Sequence, residues 1–195
     1  MNQCHLNRHA DALKTLSQCK VQETKPVLLV SLYKQLASCY EVLSEEDEWL
    51  ECNRKLKTLL KEQIKHEDAE IKDESLSELI ACRRLIGLYY LKMQNYQPAT
   101  KHIRKTLSLC RSLSNAQKPK HLFQQAELLV DLGEVHTLIG EHEAASESLL
   151  SAYEILDGLR QSCINYGETQ QSLTDRLSLL LMSALSKQPR GLEMT

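Results

Sequence analysis

Apolar residues recur at helical spacing along nearly the whole chain. Leu6, Ala10, Leu13 and Leu16 share one face of a predicted helix over 5–19. Pro26 opens a second over about 26–43, because a first helical turn tolerates a missing N–H. Its apolar side holds Leu29, Leu32, Tyr33, Leu36, Ala37, Tyr40 and Leu43. Ser44-Glu-Glu-Asp47 reads as a capping-box-like start for a third helix, 46–66, with Trp49, Leu56, Leu59, Leu60 and Ile64 on one face. The charged run 65–74 either extends that helix or forms a solvated linker. Further helices follow over about 75–94, 96–113 and 119–139, with residues 114–119 a loop and Gly140 a helix stop. A seventh covers about 142–163, and the last, 169–187, follows Gly167 and carries Leu173, Leu177, Leu180, Leu181 and Leu185. Residues 188–195 read as a flexible tail. Strict apolar–polar alternation is missing, so no sheet is predicted. The expectation is an all-α chain of about eight antiparallel helices joined by short turns.

Composition agrees with long helices. The 195 residues include only 6 Gly and 4 Pro, too few for a barrel, a sandwich or a disordered chain. The net charge of −2 conceals separated blocks. Residues 41–53 hold six acids and no Lys or Arg, 79–126 hold nine bases and no acid, and 127–157 hold eight acids and no base. Seven cysteines, an odd number without a C-x-x-C pair, predict reduced thiols and a cytoplasmic or nuclear protein. No apolar run approaches 18 residues, so no membrane partner is expected.

A repeated pattern runs through the helices. Leu129-x-x-Leu132-Gly133-x-x-His136 is followed by Gly140 and by Ala145-x-x-x-Leu149-x-x-Ala152. Arg83-x-x-Ile86-Gly87-x-x-Tyr90 is followed by Tyr96 and by Ala99-x-x-x-Ile103-x-x-Thr106. Tyr33-x-x-Leu36-Ala37-x-x-Tyr40 continues to Trp49, Cys52 and Leu56, with a few extra residues expected in its turn. His9, Ala12, Leu16 and Cys19 read as the second helix of a truncated copy. This pattern resembles the tetratricopeptide repeat. The anchors Ala12, Cys52, Ala99 and Ala145 stand 40, 47 and 46 residues apart, against the family's usual period of about 34. Lengthened repeats like those of kinesin light chains and spindle-orientation adaptors fit best, and HEAT-like pairs remain open.

The resemblance implies a right-handed superhelical stack of antiparallel helix pairs forming one domain over 1–187. It would comprise a half-repeat at 5–20, repeats at about 26–66, 75–113 and 119–163, and a C-terminal capping helix at 169–187. Ala37, Gly87, Ala99, Gly133 and Ala145 are then the packing positions where neighbouring helices come close. The resemblance also implies a concave groove for a partner peptide or helix. Its candidate residues are Lys34, Ser38, Glu41, Arg84, Leu88, Leu91, Glu127 and Glu134, with Ser31, Ala81, Val130 and Thr137 beside them. Family members that grip a terminal carboxylate use Lys, Arg and Asn there. Here Lys34 matches one such position, while Ser38, Leu85, Glu127 and Asp131 do not, and two acids would repel the carboxylate.

Other chemistry finds little support. Cys39, Cys52 and Cys82 read as small buried residues. Cys4, His5 and His9 offer three potential ligands and would need a fourth from elsewhere, so neither a metal nor another cofactor is expected. Glu141-His142-Glu143 reads as a solvated helix start rather than an acid–base site. No nucleophile elbow, phosphate loop or H-E-x-x-H is present. A non-enzymatic adaptor or scaffold subunit is therefore expected, binding another protein, an acidic one included, or other helical-repeat subunits. The alternative is nucleic-acid or chromatin binding through the basic block 79–126, with Tyr89, Tyr90, Tyr96 and Phe123 available to stack.

Overall fold

The computed structural model describes Lys14 and residues 26–66, 69–113, 116–162 and 167–186. The expected half-repeat 5–20, with Cys4, His5 and His9 around its start, lies outside these residues apart from Lys14, as do Cys163 and the tail 188–195. Among the described residues there are seven helices and no strand. They are α1 (Pro26–Leu43), α2 (Glu46–His66), α3 (Ala69–Lys92), α4 (Tyr96–Arg111), α5 (Pro119–Ile139), α6 (His142–Gln161) and α7 (Glu168–Ser186). The described residues are thus all-α and built of successive antiparallel helix pairs. The charged run 65–74 is divided: α2 reaches His66, and α3 is already helical from Ala69.

The described residues up to Ile86 and those from Gly87 onward form two compact units, with the boundary inside α3. In the first unit α1 packs on α2. Leu36, Leu56, Leu60, Leu79, Ile80 and Ile86 are buried there. In the second unit α4 packs on α5, α5 on α6, and α7 on both α5 and α6. Its core holds Ile103, Leu128, Val130, Val135, Leu149 and Leu177. The opposite side of α7 leaves Leu179, Met182 and Leu185 exposed.

Three helix hairpins are closed by one recurring turn. The N–H groups of Glu45, Asn95 and Glu141 donate to the carbonyls of Tyr40, Tyr90 and His136 at 3.0, 2.8 and 2.9 Å. The N–H groups of Ser44, Gln94 and Gly140 donate to Glu41, Leu91 and Thr137. These two bonds satisfy carbonyls that a helix end leaves free. The residue between them must be left-handed, and Ser44, Gln94 and Gly140 have φ of 59°, 56° and 81°. Only the third is glycine, for which that φ carries no steric cost. Ser44, expected to open a capping box, instead closes α1.

These turns fix the repeat register. Trp49, Ala99 and Ala145 each donate the first helical N–H bond after the turn, to Glu45, Asn95 and Glu141. The first hairpin therefore has no extra turn residues, and Trp49, not Cys52, is the counterpart of Ala99 and Ala145. Counterparts are 50 and then 46 residues apart. The small-residue rule for that position fails in the first copy, which is why reading by composition slips three residues there.

Candidate partner-binding clefts

In the second unit the packing seam is closed. Gly133 has no room for a side chain: a Cβ there would lie 2.5 Å from Leu149 Cγ. Ala145, Leu149 and Ala152 are fully buried beside it. At the corresponding positions of the preceding hairpin, Gly87 approaches Ile103, and Ala99 and Thr106 are also fully buried.

The first unit has large or polar residues at the same three positions of α2: Trp49, Asn53 and Leu56. They line an open cleft of about 260 Å³ together with Lys34, Ala37, Ser38 and Glu41 of α1 and Glu78, Ala81, Cys82 and Leu85 of α3. Lys34 and Glu78 form an ion pair across it. Asn53 is only 2% exposed. Its side-chain amide donates to the Trp49 carbonyl at 2.9 Å, and the Cys82 thiol donates to the Asn53 carbonyl at 3.2 Å. Burial pushes the Cys82 pKa up to about 11, so this donor keeps its proton at neutral pH. The cleft thus has an apolar and amide-lined floor with charges of both signs on its rim.

A second cleft, of about 570 Å³, lies in the second unit. Tyr96, Gln97, Thr100, Lys101, Arg104 and Lys105 of α4 line it, with Ile139 from the end of α5 and Glu141 from the next turn. Arg104 Nη2 donates to His136 Nε2 at 3.0 Å. A guanidinium has no acceptor, so His136 must present an unprotonated Nε2 here. Glu141 Oε2 lies 3.8 Å from the same nitrogen.

Of the groove residues expected from sequence, Lys34, Ser38 and Glu41 meet in the first cleft. Arg84, Leu88, Leu91 and Glu127 are half-buried and line neither cleft. Glu134 is engaged by Arg176 of α7, which also bonds the fully buried Asp131 at 2.8 Å. The two carboxylates hold the Arg176 pKa above its ordinary value against the opposing effect of burial. Asp131 is therefore the anchor of α7, not a groove residue. Repetition marked its position, but its partner lies 45 residues away.

Arg83 is the other charged residue in a core position, at the counterpart of Tyr33 and Leu129. It is 5% exposed, and its Nε has no hydrogen-bond partner. Burial lowers its pKa, and burial likewise lowers that of Lys57, with Arg83 the next cause. Cys39, Cys52, Cys82 and Cys110 are all buried free thiols. Among the described residues no three His, Cys, Asp or Glu side chains cluster as metal ligands, and no helix is long and apolar enough to cross a membrane.

No family model matches the chain, and no curated protein sequence matches it either. Solved structures do resemble it. BtubC (BKLC) from P. vanneervenii is 15% identical, with 93% of this chain and 68% of that chain covered and a TM-score of 0.61. MamA is 16% identical over 93% of this chain and 85% of its own, but its TM-score of 0.45 is too low to support an argument. At 15% identity the likeness to BtubC concerns the fold alone, and that fold is the one described above: an all-α chain of repeated helix pairs.

Proposed function

We propose that the chain is a non-enzymatic protein-interaction module, an adaptor or scaffold subunit that holds a partner peptide or helix in the cleft of the first unit. The observation that carries this reading is the open cleft lined by Trp49, Asn53, Leu56, Ala81 and Leu85 and rimmed by Lys34, Glu41 and Glu78. Leu85, which is 44% exposed, and the exposed Ala81 offer apolar area to a partner above the already buried Trp49, Asn53 and Leu56, and a rim of both signs selects orientation. Helix-in-groove recognition needs these two components. Ala81 is exposed within the cleft, so it can be enlarged without disturbing the core.

Site-specific photocrosslinking tests the reading. Probes at Ser38 and Ala81 should capture the same partner, and a probe at the exposed Lys72 should not. Ala81→Arg, combined with the probe at Ser38, should abolish that adduct. Equal capture at all three positions, or an adduct that survives Ala81→Arg, would place the partner elsewhere.

A further inference from the structure

We propose that the basic cleft of the second unit is a separate docking site for an acidic peptide that carries an apolar side chain among its carboxylates. This does not rest on the assignment made for the first cleft. Lys101, Arg104 and Lys105 occupy one turn of α4 and are all exposed. No acid occurs between residues 79 and 126. Among the described residues no carboxylate pairs with Lys101, Arg104 or Lys105. These charges are therefore turned outward rather than neutralised by neighbouring acidic helices. Arg104 is already held by His136, so less conformational freedom is lost when it grips a carboxylate.

The remaining lining selects the ligand class. Ile139 is 39% exposed and shares the cleft with the half-buried Tyr96. Together they make an apolar seat beside the cations. A peptide can fill that seat with a side chain, whereas a phosphate backbone has nothing to place there. Base stacking is poorly served: Tyr89 and Tyr90 pack edge to face on each other, and Phe123 is buried. Glu141 at the edge of the cleft also repels a polyphosphate more than it does a peptide whose carboxylates are spaced apart.

The test titrates the full chain with three fluorescent probes at low and moderate salt. They are a Glu-rich dodecapeptide containing two Leu, the same peptide with Ser at those two places, and a twelve-residue oligothymidylate. The Leu-bearing peptide should bind about fivefold tighter than the other two and weaken about tenfold on moving from low to moderate salt. Lys101→Glu with Lys105→Glu should weaken it about tenfold or more. Ile139→Ser should remove the preference for Leu over Ser. Circular dichroism should show both variants folded, since the altered side chains are exposed. Ala81→Arg should leave this binding unchanged. Tighter binding of the oligothymidylate would make the cleft a nucleic-acid site and overturn the proposal. Undetectable peptide binding, indifference to the charge reversals, or loss on Ala81→Arg would overturn it as well.

Discussion

In the α5–α6 hairpin, Gly133 lies against Leu149, and Ala145 and Ala152 are fully buried on either side. In the α1–α2 hairpin, the same positions are Ala37, Asn53, Trp49 and Leu56, and all four line an open cleft. The two hairpins share the same turn, with the same pair of backbone hydrogen bonds and a left-handed residue at the same place. The backbone plan is therefore constant, and side-chain volume at four positions accompanies the difference between a closed seam and an open cleft. Small residues let helices interdigitate to native density, while a Trp and an amide at the seam cannot nest in the same way. The two units also differ in their buried charge, although Arg83 lies on α3 rather than in the α1–α2 hairpin. The second unit buries Asp131 with Arg176 as its partner, whereas the first buries Arg83 with an unpartnered Nε.

The largest expected effect tests that charge difference. Arg176→Leu leaves Asp131 buried without its cation and should cost about 3 kcal/mol in urea unfolding. Making Asp131→Leu in the same chain should recover most of the loss. An effect near zero would mean that α7 is held by apolar contacts alone.

Next comes the seam itself. Gly133→Ala forces a Cβ into Leu149 and should cost about 1.5 kcal/mol after the gain in helix propensity. At Gly87 the nearest atom would be Ile103 Cγ1 at 3.0 Å, a milder approach than the 2.5 Å to Leu149 Cγ at Gly133, so the gain in helix propensity offsets most of it. Gly87→Ala should therefore be close to neutral, within about 0.5 kcal/mol. Equal effects at the two sites would remove the distinction between their seams.

The comparison can also be transplanted. Asn53→Leu places the residue type of Leu149 opposite Ala37, whose Cβ then crowds it. Adding Ala37→Gly should restore part of the stability, with a coupling of about 1 kcal/mol in a double-mutant cycle. Strictly additive changes would show that the first seam is not built like the third.

The smallest effect is pH-dependent. The Cys82 thiol has its pKa raised to about 11 from 9.0, with burial as the main cause. Its neutral form is favoured by folding, so this contribution is complete below pH 9 and is lost as pH rises toward 11. At pH 9.5 the loss should be about 1 kcal/mol relative to pH 8. The slope of stability against pH over that range should flatten in Cys82→Ala.

Much of the fold could be read from local pattern. The bounds 46–66 expected for the third helix coincide with α2, and the stops at Gly140 and the start at Pro119 are as expected, because caps and periodicity are short-range signals. Ser44 and Gln94 were not recognisable as left-handed residues, since nothing in their side chains demands that conformation. The misplaced anchor at Cys52 has a similar origin. A rule that looks for a small residue cannot find Trp49. Of the clefts, the first was partly visible as Lys34, Ser38 and Glu41 on one helix face, but the α2 floor beneath them was not. The second was visible only as a run of bases, with no sign that Ile139 and Glu141 would join it.

By itself, the sequence determined the helices, their order and the repeated pairing. These follow from apolar spacing and from the near absence of chain-breakers, both of which act within a few turns of chain. Only the tertiary structure decided which seams close, which charges are buried and which stay outward. Arg176 reaches Asp131 across 45 residues, and Lys34 reaches Glu78 across 44. Such distances in sequence carry no local signal. A side chain's partner depends on where its helix packs, and that is a property of volumes meeting across the core.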